Sequence, residues 1–144
     1  MVTGAPLWLV IEMVRCAVDQ RPKRVLLIDD NEATLRMVAS VLSRSGFEVR
    51  TSTTVNELTS ALGEWRPDLI LTDVNMPGTS GIELCRQLKA TYDTAHVPVV
   101  LFSALSHEEL EVLAQSCAAD GFLSKRHLGQ LAQELMLLID TLSS

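Results

Sequence analysis

The stretch RVLLIDDNEA, Arg24 to Ala33, sets a run of branched apolar residues directly against two adjacent aspartates. An unbroken run of this kind, rich in Val, Leu and Ile, reads as a strand buried on both faces. A buried strand has little reason to end on two like charges unless they serve a purpose, so Asp29 and Asp30 become the first candidate site residues.

The same grammar repeats along the chain. Asn31 to Ser45 places Leu35, Val38, Ala39 and Leu42 at helical spacing, and Gly46 supplies the stop. FEVRT alternates as a short strand, and TVNE, Thr54 to Glu57, is a capping-box pattern opening a helix to about Trp65, before Pro67. DLILTD is a second apolar run that ends in an acid, Asp73. The turn VNMPGTSG follows, and IELCRQLKAT resumes helical spacing. VPVVLFS is a fourth strand ending at Ser103; SHEE, Ser106 to Glu109, starts a helix through about Ser116. DGFLSK is the fifth strand, and the last helix sets Leu128, Leu131, Ala132, Leu135, Leu138, Ile139 and Leu142 on one face. Five βα units without repeat or linker predict an α/β domain with a parallel sheet.

Bulk properties narrow the function classes. A chain of 144 residues suits one domain, and 47% apolar with 21% charged residues is a globular composition. A net charge of -6 with scattered cations argues against a nucleic-acid surface, which needs clustered Lys and Arg. Cys16, Cys85 and Cys117 are odd in number and form no CxxC pair, so neither a disulfide framework nor a zinc site is supported. Reduced thiols in a cytoplasmic protein are the plain reading. No apolar run reaches the length of a membrane span.

Residues 1–22 stand apart from residues 23–144 as an N-terminal extension. Glu12 interrupts its apolar stretch and no positive charge precedes it, which argues against a signal peptide. Read as a helix, Glu12, Arg15 and Asp19 form a narrow polar stripe, while Leu7, Val10, Ile11, Val14 and Val18 form a broad apolar arc. Such an arc needs a partner surface, on this domain or on a second copy in a homodimer. A floppy extension, or a start at Met13, are the other readings.

Right-handed crossovers bring the carboxyl ends of the strands to one edge of the sheet, where ligands bind in open α/β folds. That edge collects Asp29, Asp30, Asp73, Ser103 and Lys125. Three carboxylates repel one another, and a hard divalent cation with oxygen ligands resolves the conflict; magnesium, or manganese, suits such a donor set. An ionised carboxylate beside such an ion can act as a nucleophile on phosphorus, with the metal and Lys125 offsetting charge on the transferring group and Ser103 donating to one of its oxygens.

With DD after the first strand, DVNMPGTSGIEL around Asp73, SA at Ser103-Ala104 and DGFLSK ending at Lys125, the chain from Lys23 to Leu142 resembles the receiver domains of two-component response regulators. Each motif alone is weak; four in order at the right strand ends are specific. The resemblance implies a flavodoxin-like (βα)5 three-layer sandwich with strand order 2-1-3-4-5. It implies that Asp73 accepts a phosphoryl group from the phosphohistidine of a sensor histidine kinase or histidine phosphotransfer protein. It further implies that Asp30, Asp73 and the Asn75 backbone carbonyl bind magnesium directly, and that Asp29 acts through a coordinated water. Lys125 would pair with the acyl phosphate, Ser103 would move toward it, and Phe122 would swing inward. The signal would then appear on the face of the fourth helix, fifth strand and fifth helix. Such a domain catalyses only its own phosphorylation and dephosphorylation.

Two positions depart from the family. Arg126 stands where proline, often after a cis bond, is usual, so the Lys125–Arg126 bond is free to be trans. Ala118 stands where glycine is common, which costs on the order of 1 kcal/mol if the backbone there is left-handed. No output module follows the last helix in this sequence, so signalling by protein contact is expected, unless the sequence is a piece of a longer chain. The competing function is a phosphorylation-independent interaction module that keeps the fold; a phosphohydrolase ranks third, since no DxD pair is present. Taken singly, Asp29-Asp30 would cap a helix, Asp73 would form a turn, and Lys125 would be a solvated strand end. His96, His107 and His127 show no ligand spacing, and Pro77, Gly78 and Gly81 serve the turn.

Overall fold

The computed structural model describes residues 4–11, 13 and 21–143. Five parallel strands, β1 (Arg24–Ile28), β2 (Glu48–Ser52), β3 (Leu69–Asp73), β4 (Val99–Ser103) and β5 (Gly121–Ser124), lie in the order β2-β1-β3-β4-β5. β3 and β4 are buried at every residue and β1 from Val25 onward, because both faces of the sheet are covered. This is why their sequences are unbroken apolar runs.

Alternation along each strand decides which helices it meets. Val25, Leu27, Leu69, Leu71, Val100, Phe102 and Leu123 face α1 (Glu32–Arg44) and α5 (Leu131–Ser143). The intervening residues Leu26, Ile28, Ile70, Val99 and Leu101 face α2 (Val55–Trp65), α3 (Gly81–Ala90) and α4 (His107–Cys117). The result is the flavodoxin-like (βα)5 three-layer sandwich with the expected strand order.

Side-chain caps open four of the helices, two of them at the capping patterns of Thr54 and Ser106. Asn31, Thr54, Ser80 and Ser106 each accept from the backbone N–H three residues on. Ser106 and Glu109 complete the reciprocal box. Glu57 does not return to Thr54; its carboxylate accepts from the Thr53 N–H at 2.9 Å, which ties the β2–α2 loop one residue earlier. Gly46, at φ +96, closes α1 as the Phe47 N–H donates to the Leu42 carbonyl. α5 begins one turn late: Leu128–Gln130 form a 3-10 turn before the α-helix proper. Cys85 and Cys117 are free and buried, and burial together with the Cys117 thiol pushes Cys85 up to about 12, an inert packing group.

In the extension, residues 7–11 are helical, and the Pro6 carbonyl accepts from the N–H groups of Leu9 and Val10. Leu7, Trp8, Leu9, Val10, Ile11 and Met13 are exposed, so nothing among the described residues covers this apolar segment. Glu12, Val14, Arg15, Cys16, Val18 and Asp19 lie outside the described residues. Among the described residues no helix is long and apolar enough to cross a membrane.

Both departures from the family leave a trace. No peptide bond among the described residues is cis, so Lys125–Arg126 is trans. Ala118, the cap of α4, adopts φ 61 and ψ 31, the left-handed conformation that glycine takes freely. Ala118→Gly is therefore expected to raise stability by about 1 kcal/mol, after the larger entropy of the unfolded glycine is allowed for. Urea unfolding of the two proteins checks this; an unchanged or lower midpoint contradicts it.

Candidate acidic site at the strand ends

The register of the sheet sets the heights of the site residues. Ile28 is level with Thr72, Asp73 with Phe102, and Ser103 with Ser124. Asp29 and Asp73 thus leave the two central strands side by side, and Lys125 leaves β5 just above them. Each lies two residues beyond a leucine of the α1/α5 face (Leu27, Leu71 and Leu123), so the pleat aims all three toward the same side.

The side chains meet there. Lys125 Nζ stands 2.7 Å from Asp29 Oδ2 and 3.0 Å from Asp73 Oδ1. Its ammonium lies 5.5 Å from the centre of the Phe102 ring, which supports the charge from below. The second oxygen of Asp29 accepts from the Asn31 N–H at 3.0 Å, so one loop both caps α1 and fixes the carboxylate. Carboxylate oxygens of Asp29, Asp30 and Asp73 lie within 4.8 Å of one another. Asp29 is 2% exposed and Asp73 8%, whereas Asp30 is open to solvent. Three such oxygen donors, two fixed and one free to adjust, are a donor set that fits a hard divalent cation.

Burial and charge set the ionisation. Burial raises the pKa of Asp73, and the Asp29 carboxylate adds to this; hydrogen bonding and attraction from Lys125 and the Val74 backbone oppose it without cancelling it. Burial alone would lower Lys125, but its bonds to Asp29 and Asp73 outweigh that and raise it, so the ammonium stays charged. The site is a half-buried ion triad in which one amine serves two carboxylates and a third carboxylate stands beside them.

Ser103 is buried at the end of β4, and its hydroxyl accepts from the Leu105 N–H at 3.2 Å. Its carbonyl accepts from the Lys125 N–H at 2.9 Å, which ties the root of the lysine to β4. Asn75 is exposed in the loop two residues past Asp73. Phe122 is half-buried on the opposite face, against the α2–α4 side. Its ring meets that of His107 edge to face at 4.9 Å, a contact that nothing in the spacing of the two residues announces. His96 and His127 are exposed and outside the triad.

Gly81 does more than form a turn. A Cβ at this position would lie 1.8 Å from the Asp73 carbonyl oxygen, and the Gly81 N–H donates to the Val74 carbonyl at 2.8 Å. The first turn of α3 therefore packs directly on the backbone that carries Asp73. Only a residue without a side chain fits, and the SG pair at Ser80-Gly81 was the only hint in the sequence.

Comparison with known proteins agrees with this architecture. The sequence model of the response regulator receiver domain matches residues 25–136. The polar-differentiation response regulator DivK of Brucella anthropi is 32% identical over 105 residues, 72% of this chain and 85% of DivK. The phosphate regulon transcriptional regulatory protein PhoB of Pseudomonas aeruginosa is 32% identical over 103 residues, and the response regulator PleD of Caulobacter vibrioides 36% over 102. The matched region covers 72% and 71% of this chain but only 45% of PhoB and 22% of PleD, so the chain spans less than half the length of these two relatives. Among solved structures, a chemotaxis response regulator of Vibrio cholerae superposes with a TM-score of 0.73 at 25% identity, covering 81% of this chain and 98% of that one. The signal receiver domain of a histidine kinase from Syntrophus aciditrophicus gives 0.72 at 30% identity, covering 83% and 91%.

The raised Asp73 pKa has a thermodynamic consequence. In the window between the ordinary value of 3.8 and the raised one, the folded protein binds this proton more tightly than the unfolded chain does. Ionising Asp73 therefore costs stability as pH rises through that window, and the cost is constant above it. Asp73→Asn, neutral and of similar shape, is expected to gain on the wild type across the same window and to hold a constant advantage above it. Urea unfolding in EDTA from acid to neutral pH measures the difference; a gap that does not change with pH contradicts the burial argument.

Proposed function

The chain belongs to the family of response regulator receiver domains, and we propose that residues 23–144 act as a phosphoacceptor switch with Asp73 as the phosphorylated residue. The observation that carries this reading is the single ammonium of Lys125 shared between Asp29 and Asp73, with Asp30 adjoining. A triad made only for stability would match charges; this one carries a surplus of negative charge that suits a cation and a phosphoryl group.

In the proposed reaction an Asp73 carboxylate oxygen attacks the phosphorus of a phosphohistidine on a sensor kinase or phosphotransfer protein. A P–O bond forms as the P–N bond breaks, and the imidazole leaves with the electron pair. A divalent ion, magnesium or manganese, supplies positive charge to the phosphoryl oxygens when bound, and Asp30, Asp73 and the Asn75 carbonyl would hold it, with Asp29 acting through a water. Lys125 already sits against the Asp73 oxygen and keeps its charge, so it needs little rearrangement to pair with the acyl phosphate. Ser103 would give up the bond it accepts from the Leu105 N–H and donate its hydroxyl hydrogen to a phosphoryl oxygen. Phe122 would follow, altering the face made by α4, β5 and α5, through which we propose that the domain meets a downstream protein in the cytoplasm.

Acetyl phosphate with magnesium is expected to add one phosphoryl group to the wild-type chain, visible by intact-mass analysis under mild conditions. Asp73→Asn should give no adduct, and Lys125→Ala should slow its formation by about 100-fold, the usual scale for loss of one charge-stabilising donor. A wild-type chain that takes no phosphoryl group, or an Asp73→Asn chain that takes it equally well, would overturn the assignment.

A further inference from the structure

At the opposite edge of the sheet, where the strands begin, lies a second concentration of charge of the reverse sign. Arg24 opens β1, Glu48 opens β2, and Asp68 precedes β3; backbone bonds from Glu48 N–H to the Lys23 carbonyl and from Asp68 N–H to the Arg24 carbonyl draw the three starts together. They line a concave pocket of about 420 Å³ together with Arg21, Lys23 and Arg66. Four of the chain's twelve cationic residues thus share one pocket, in a protein whose net charge is -6.

The two acids in the pocket are already engaged. Glu48 accepts from the Arg24 guanidinium at 2.9 Å, and Asp68 accepts from the Arg24 N–H at 2.8 Å. The same guanidinium donates to the Trp65 carbonyl at the end of α2 and stacks over the Trp65 ring. Arg24 is therefore a strut. Arg21, Lys23 and Arg66 form no ion pair among the described residues, so the four cations of the pocket outnumber its two carboxylates and leave a surplus of positive charge that an anion can join.

Arg66 adds an independent sign. It stands at φ 52, one of two non-glycine residues among the described ones with positive φ, and it directly precedes Pro67. Glycine would relieve this conformation, yet the position carries a long cationic side chain that lines the pocket. Backbone strain kept at a charged residue points to a role for the charge.

We propose that this pocket binds a compact polyanion carrying at least two phosphoryl groups. Guanidinium forks recognise phosphoryl oxygens in pairs, and the volume suits a small molecule. No aromatic ring lines the pocket among the described residues, so recognition is of the phosphoryl groups and not of a base. The five residues of β1 separate it from Asp73 by about 16 Å, so the two sites bind independently.

Calorimetric titration of Asp73→Asn with inorganic tripolyphosphate, in EDTA and at fixed ionic strength, tests this with the acidic rim out of play. Saturable one-to-one binding is expected. Adding Arg21→Ala with Arg66→Gly should weaken it by about tenfold or more, and Arg66→Gly also relieves the strained backbone, so the variant folds. Arg36→Ala with Arg44→Ala removes the same charge from exposed positions of α1 and should leave binding unchanged. Absence of saturable binding, or an equal loss in the two double variants, would overturn the proposal.

Discussion

One ammonium held between two carboxylates that emerge from the centre of the sheet is the constraint around which the upper rim is arranged. Asp29 and Asp73 leave neighbouring strands at the same height, with the same pleat, and the central strands that carry them are closed on both faces by helices. Their charge is costly there unless opposed. Lys125 opposes it from β5, its backbone fixed to Ser103 and its amine resting over Phe102. One positive charge for two negative ones, with Asp30 adjacent, leaves the site short of cation. A rim built this way has a natural complement in a small divalent ion and an anionic group shared with the lysine.

The rest of the fold keeps that geometry narrow. α3 presses its first turn onto the Asp73 carbonyl, a contact possible only because residue 81 is glycine. The loop after β1 returns its Asn31 N–H to Asp29 while Asn31 caps α1. The carboxylates are therefore tied to the packing of whole helices, and Asp73 meets α3 through backbone and not through a flexible side chain. The lower rim is constructed differently: there Arg24 binds the β2 and β3 starts and the end of α2, leaving other cations around it without a carboxylate among the described residues.

Much of this was legible in the residues. Unbroken apolar runs marked the buried strands, the capping patterns at Thr54 and Ser106 marked helix starts, and the acids and lysine at strand ends marked the side chains that meet at the rim, because each of these signals is local. Features that depend on contact between distant segments were not legible. Nothing in DD distinguishes buried Asp29 from open Asp30; the difference arises because Asp29 still lies on the pleat while Asp30 has turned into the loop. Gly81 reads as a turn residue until α3 is seen against Asp73. His107 and Phe122 share no spacing rule, and their ring contact exists only because α4 packs beside β5. Glu57 matches a capping box by sequence, yet the loop geometry delivers Thr53 to it instead of Thr54. The left-handed turn at Ala118 was foreseeable only as a condition, since alanine itself gives no sign of it.

As proposed, the three aspartates complete one cation site at the strand ends. This is tested most directly by following backbone amide resonances of the isotope-labelled chain as magnesium is added at constant ionic strength. Saturable shifts confined to residues 29–31, 73–76 and 124–126, lost when Asp30 is replaced by alanine, are expected. Shifts that do not saturate, or that spread over surface carboxylates and persist in the Asp30→Ala chain, would contradict it.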